Sequence, residues 1–247
     1  MSGILSKKEE LNVRKAGEIL RRCFEFLAPE VRDGATTKYL DEKVSSFITA
    51  NEARPAFLGY KGYPASICVS RNHVVVHGIP SDNEIIKSGD IVSVDIGVEY
   101  EGYYADAAKT FVVGESGPQV KKLVAVTENA LYRGIGRARA GNHVSDISHE
   151  IQTFVEANGY SVVRTFVGHG IGSQLHERPE IPNFGPPHRG CLLESGMALA
   201  IEPMVNMGSY DVDILEDGWT AVTKDKSLSA HFEHTIIVKG DKADIVT

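Results

Sequence analysis

Ser88-Gly89-Asp90-Ile91-Val92-Ser93-Val94-Asp95-Ile96-Gly97 places an aspartate inside an apolar, β-branched run, and Ser195-Gly196-Met197-Ala198-Leu199-Ala200-Ile201-Glu202-Pro203 does the same with a glutamate. Each run reads as a strand opened by a Ser-Gly turn, with its carboxylate at the same spacing from that turn. Two further echoes keep the same order. His77-Gly78-Ile79 returns as His169-Gly170-Ile171, and Asp106 to Thr110 returns more loosely as Glu233 to Thr235. Any one match arises easily by chance among short strand-and-turn words. Three together indicate an internal duplication, with repeats over about 7–114 and 118–240.

The surrounding pattern repeats as well. Ser6-Lys7-Lys8-Glu9 fits a capping box, and Ala16, Ile19, Leu20, Cys23, Phe24 and Leu27 recur at helical spacing, predicting a helix over about 7–28 that Pro29 closes. Leu40, Val44, Phe47 and Ile48 predict a second, with Thr36 and Thr37 as candidate caps. Strands follow over Ile91 to Gly97 and Tyr104 to Val113, joined through Glu99-Tyr100-Glu101-Gly102. Pro118 then opens another helix, Ile147, Ile151, Phe154 and Val155 mark a fourth ended by Gly159, and strands resume over Ser161 to Val167. Two helices followed by strands, twice over, is an α+β arrangement.

A chain of 247 residues, 42% of them hydrophobic and 24% charged, suits one compact domain with a sizeable core. The net charge of -7, with no basic cluster longer than Lys7-Lys8 or Arg21-Arg22, argues against a grip on a phosphate backbone. Cys23, Cys68 and Cys191 are odd in number and far apart, so neither a disulfide framework nor a zinc knuckle is indicated. The first ten residues turn charged before an apolar segment forms, and no run of about 18 apolar residues occurs. A soluble, unexported, cytoplasmic monomer without membrane contact is the expectation.

An unpaired carboxylate in an apolar strand is costly to desolvate, so Asp95 calls for a cationic partner. An even-length turn puts Asp95 and Asp106 on one sheet face, directly opposite or diagonal, where like charges repel unless a cation lies between them. For this hairpin alone, a wet sheet edge explains the pair slightly better. Glu202 and Glu233 shift the balance, because four carboxylates in one core require multivalent cations. His169, between Gly168 and Gly170, adds a nitrogen ligand. One imidazole with four carboxylates favours Mn, Fe or Co over thiolate-bound zinc, and five ligands suit two ions, with Asp106 and Glu233 as candidate bridges. Such a pair activates water and polarises a carbonyl, so hydrolysis is the chemistry indicated. Of the remaining histidines, the duplication brings His77 toward the site and a short loop brings His176, whereas His73, His143, His149, His188, His231 and His234 lack such support.

His77-Gly78-Ile79-Pro80, Asp95-Ile96-Gly97, Gly168-His169-Gly170-Ile171-Gly172, Ile201-Glu202-Pro203-Met204 and Phe232-Glu233-His234-Thr235 resemble the motifs of type I methionine aminopeptidases, as do Tyr60 to Cys68 and Asp217-Gly218-Trp219-Thr220. The likeness runs through nearly the whole chain. It implies a pita-bread fold, two pseudo-symmetric helix-helix-sheet halves around a curved antiparallel β-sheet. It also implies two divalent ions, of Mn, Fe, Co or Zn. Asp95 would hold one, His169 and Glu202 the other, and Asp106 and Glu233 would bridge them. Glu202 would shuttle a proton, His176 would meet the scissile carbonyl, and His77 the substrate amide. Phe57, Tyr60, Tyr63, Cys68, Leu175 and Trp219 would line the methionine pocket.

Phe57 and Leu175 stand where some relatives carry cysteine and phenylalanine, and His73 and His231 replace an acidic residue and a glutamine. The substrate implied is the N-terminal methionine of nascent chains, with a transient ribosome contact. Without a zinc-finger extension, a lysine-rich tail or a long insertion in the second half, the short prokaryotic form is expected. Met1 precedes the small Ser2, a terminus that suits removal by such an activity. Two alternatives stand beside this reading: an X-Pro aminopeptidase or prolidase, which usually carries an extra N-terminal domain, and a binding module that has lost catalysis.

Overall fold

The computed structural model describes residues 3–247, so Met1, Ser2 and the expectation about their processing lie outside the described residues. Helix α1 (Lys7–Leu27) opens on the expected box: the Ser6 hydroxyl accepts the Glu9 N–H, and the Glu9 carboxylate accepts the Ser6 N–H at 2.7 Å. Pro29 lies in the short 3-10 turn Ala28–Glu30 that follows. Helix α2 (Thr37–Ala50) is capped by Thr36, α3 (Pro118–Ile135) begins on proline, and α4 (Val144–Ala157) is followed by left-handed Gly159, φ 84°.

Alternation along the strands explains how the helices attach. In Ile91–Tyr100, Val92, Val94, Ile96 and Val98 face α1 and α2, packing with Ile19, Leu20, Leu40, Val44 and Ile48. In the second half, Leu199, Ile201, Ile236 and Val238 pack with Leu123, Leu131, Ile147 and Ile151 of α3 and α4. Each amphipathic helix pair thus buries its apolar stripe on one sheet face. The opposite face carries the odd-numbered Ser93, Asp95 and Gly97.

Ile91–Tyr100 and Tyr103–Val112 form an antiparallel hairpin, extended past the expected connection to a two-residue turn in which Glu101 and Gly102 are both left-handed (φ 52° and 79°). Such a turn matches the natural strand twist. Ile67–Arg71 and Arg54–Pro55 pair on the other edge of Ile91–Tyr100. The second sheet runs Ala243–Ile245, His234–Val238, Ala198–Ile201, Gly168–Gly170, Glu177–Ile181.

The strand expected over 161–167 is a correction. Pairing covers only Ser161–Val162 and restarts at Gly168, while Thr165, Phe166 and Val167 leave the sheet to line a cavity.

The two halves join along a seam. Glu233 N–H donates to the Ala108 carbonyl at 2.9 Å, and a threonine hydroxyl on each side does the rest. Thr235 Oγ1 bonds both the N–H and the carbonyl of Asp106, each at 2.8 Å. Thr110 Oγ1 bonds the N–H and carbonyl of His231 in the same way, at 3.0 and 2.7 Å. Thr110 and Thr235 therefore correspond, as the sequence echo suggests, but Glu233 stands opposite Ala108 rather than Asp106.

Candidate metal centre

The registers put the acidic side chains together. Asp95 pairs with Ala108 and Gly97 with Asp106, so the two aspartates lie diagonally on one face, as the hairpin parity requires. Gly97 is glycine for a local reason: a Cβ there would come within 2.7 Å of the Phe57 ring. Ile201 faces His234, which sets Glu202 across from Glu233. His169 sits in a strand so tightly flanked that Cβ atoms at Gly168 and Gly170 would meet the carbonyl oxygens of Ala200 and Arg178 at 2.5 and 2.3 Å. Its Nδ1 donates to the Gly170 carbonyl at 2.9 Å, which leaves Nε2 as the free ligand nitrogen, 3.7 Å from Glu202 Oε1.

Ligand atoms of Asp106, His169 and Glu233 all lie within 4.8 Å of one another, and all three residues are buried. Asp95 Oδ1, Asp106 Oδ1 and Glu233 Oε1 are buried with no hydrogen-bond partner. Burial raises every carboxyl of the set: Asp95 and Glu202 up to about 7, Asp106 and Glu233 well above the usual range, where neighbouring acids add to the effect. Orphaned acceptors that cannot all ionise unaided are what a cation site looks like before its cation is counted. The oxygen-rich donor set with one imidazole fits divalent metal.

All thirteen residues singled out by sequence, ligands and pocket together, line one cavity of about 290 Å³. Its closed end is apolar. Phe57, Tyr63, Cys68 and Leu175 are buried there, and the Tyr63 and Trp219 rings meet edge to face at 5.1 Å. Burial pushes the Cys68 thiol well above its ordinary pKa, so it serves as a neutral, polarisable wall.

The histidines stand nearer the ions' place. His176 lies at the mouth, its ring centroid 4.2 Å from that of His169 and its Nδ1 2.8 Å from the Tyr60 hydroxyl. Burial, with His169, Lys61 and His77 nearby, lowers its imidazole to about 3. His77 takes a left-handed backbone, φ 61°, and burial lowers it to about 4, with its ring edge-on to Phe166 at 5.1 Å.

His231 is the residue that sequence reasoning set aside. It is 2% exposed, its Nε2 has no hydrogen-bond partner, and that atom lies 3.6 Å from Glu202 Oε2. Its position two residues before Glu233 on an extended segment was the available signal, since alternate side chains share a face. His73, the other departure noted with it, is exposed and does not line the cavity. Lys61, Val76, Thr165, Phe166 and Val167 also border the cavity without having been singled out.

Residues 12–240 match the sequence model of metallopeptidase family M24. A methionine aminopeptidase of Clostridium perfringens is 51% identical over 245 residues, covering 99% of this chain and 98% of its own. The crystal structure of a methionine aminopeptidase from Thermotoga maritima superposes with TM-score 0.99 at 44% identity, covering 100% of this chain and 99% of that one. The chain belongs to metallopeptidase family M24, in its methionine aminopeptidase group. A prolidase from Pyrococcus furiosus superposes with TM-score 0.81 at 24% identity, with 99% of this chain covered but only 65% of the prolidase. That likeness extends to the fold, the pita-bread arrangement of two pseudo-symmetric halves.

Proposed function

We propose that this chain removes the initiator methionine from nascent polypeptides whose second residue is small. The observation that carries the reading is the convergence of Asp95, Asp106, His169, Glu202 and Glu233, with orphaned carboxylate oxygens among them, on the lining of one cavity whose closed end is apolar. Asp95 would hold one divalent ion, His169 and Glu202 a second, and Asp106 and Glu233 would bridge them; Mn, Fe, Co and Zn are the candidates. When bound, such ions acidify water and polarise the scissile carbonyl.

The rest is the work of side chains. The methionine side chain enters among Phe57, Tyr60, Tyr63, Cys68, Leu175 and Trp219, where a thioether meets aromatic and soft neighbours. Glu202 takes a proton from the attacking water and delivers it to the leaving amine. The Tyr60 hydroxyl at Nδ1 leaves His176 Nε2 to donate a hydrogen bond to the carbonyl oxygen as negative charge develops. His77, held neutral, meets the amide nitrogen of the substrate.

No helix among the described residues is long and apolar enough to cross a membrane. A cytoplasmic monomer, one domain with repeats over about 7–114 and 118–240, working at the ribosome exit with only transient contact, fits this activity. Comparing cleavage of Met-Ala-Ser and Ala-Pro-Ala tests the reading against an X-Pro-cleaving relative. Methionine release is the expected result, and faster release of alanine from Ala-Pro-Ala would overturn it.

A further inference from the structure

The centre opens on two sides. Lys61, Val167, His169 and His176 border both the enclosed pocket and a wider groove that continues along Glu177, Arg178 and Glu180. On the functional reading above, on which this inference rests, a substrate with its first side chain in the pocket leaves through that groove.

Along the groove one cation, Lys61, has no carboxylate partner, and one carboxylate, Glu177, is held by uncharged donors only. Glu177 Oε1 accepts from Ser173 Oγ at 3.1 Å and from the Gln174 N–H at 2.9 Å, and Arg178 pairs with Glu180 at 3.2 Å. Lys61 is exposed and takes part in none of the ion pairs among the described residues; its Nζ lies 5.3 Å from the centroid of the Tyr60 ring. Tyr60 in turn reaches His176 through its hydroxyl, so the uncommitted ammonium stands one side chain away from the scissile bond.

The turn that presents Lys61 is held by the backbone. Gly59 and Gly62 flank it with φ of 81° and 89°, Lys61 itself is left-handed at 49°, and Gly59 N–H to Tyr63 carbonyl and Tyr63 N–H to Tyr60 carbonyl, both 2.9 Å, close the loop. A lysine adopts this conformation less readily than glycine or asparagine, so the residue is not there to ease the turn. In an extended peptide, side chains alternate, and the third residue points to the same side as the first. Tyr60 and Lys61 line the pocket that would take the first side chain, and Lys61 also borders the groove beyond it.

We propose that Lys61 is a specificity residue that favours substrates with an acidic third residue, its ammonium pairing with that carboxylate as the chain enters the groove. The site is solvent-exposed, so the preference is modest, roughly two- to fivefold in kcat/KM, and weakens at about 0.5 M salt.

The test uses C-terminally amidated Met-Ala-Asp-Ala, Met-Ala-Ala-Ala and Met-Ala-Lys-Ala with the metal-loaded protein. Wild type should cleave the Asp peptide fastest and the Lys peptide slowest. Lys61→Gln should bring the Asp-to-Ala ratio to about 1, and Lys61→Glu should invert the order. An Asp-to-Ala ratio of 1 in wild type, or a preference that survives in Lys61→Gln, overturns the proposal while leaving the activity intact. Absence of methionine release from all three peptides overturns the functional reading and the proposal with it.

Discussion

Asp106 is tied down at three points: its N–H and carbonyl meet Thr235, and its carboxylate faces Glu233 and His169 with one oxygen unpartnered. His176 touches the same space from the mouth but is no part of that converging set. The two should therefore fail differently. Asp106→Ala is expected to lose turnover together with bound metal, since a bridging ligand serves both ions. His176→Ala is expected to lower kcat roughly 10²- to 10³-fold, the usual loss of one donor to a developing oxyanion, with metal content kept. Metal analysis beside peptide turnover checks both, and an Asp106→Ala protein with wild-type rate would refute the site. At this scale the sequence was most informative where a residue broke a pattern. Asp95 and Glu202 interrupt apolar strands and can be read without a structure. His231 breaks nothing, because a histidine beside Phe232 is unremarkable until its unpaired Nε2 is seen beside Glu202.

Elements were legible according to how local their causes are. The four helices follow from 3.6-residue spacing and caps, and the first hairpin from alternation and a Glu-Gly turn. The segment 165–167 departs from the expected strand because Phe166 and Val167 have strand composition while they line the cavity, outside the sheet ladder; Val163 still donates its N–H to the Met204 carbonyl at 3.0 Å. The seam was not legible at all, since its hydrogen bonds join residues 121 to 129 positions apart.

That seam makes a prediction. Thr235→Val keeps the shape but removes the hydroxyl that satisfies both backbone groups of Asp106, leaving two buried polar groups without partners. A loss of about 2 to 4 kcal/mol in unfolding free energy is expected, from about 1 to 2 kcal/mol for each. Thr235→Ser should recover most of it. Urea unfolding of metal-free protein measures this, and a Val variant as stable as wild type would remove the seam's assigned role.

Across the whole molecule, the halves turn their helices outward and press their acids together, so folding concentrates charge that the unfolded chain disperses. Asp95 and Glu202 are raised to about 7, and Asp106 and Glu233 are raised further above their ordinary values. In metal-free protein the folded state therefore binds more protons than the unfolded state above pH 4, and stability falls as pH rises through those folded values. His77 and the other buried histidines, lowered below 6.5, act in the opposite sense, and their contribution is complete only about one unit above that ordinary value. The window is thus about pH 7.5 to 9. Chelated protein should lose roughly 4 to 8 °C in Tm there, about 2 kcal/mol for a chain of this size, and manganese should restore it. A chelated protein more stable at about pH 9 than at about pH 7.5 would contradict the carboxylate assignment.

The duplicated order of helices and strands made the architecture readable at this scale, because each half repeats a layer arrangement that local patterns specify. The centre between the halves was readable only through its ligands. The most direct test of that centre is methionine release from Met-Ala-Ser by chelated protein to which Mn, Fe, Co or Zn is returned. The account predicts no release from the chelated protein and recovery with at least one of these ions. Release that persists without metal, or fails with every ion, would contradict it.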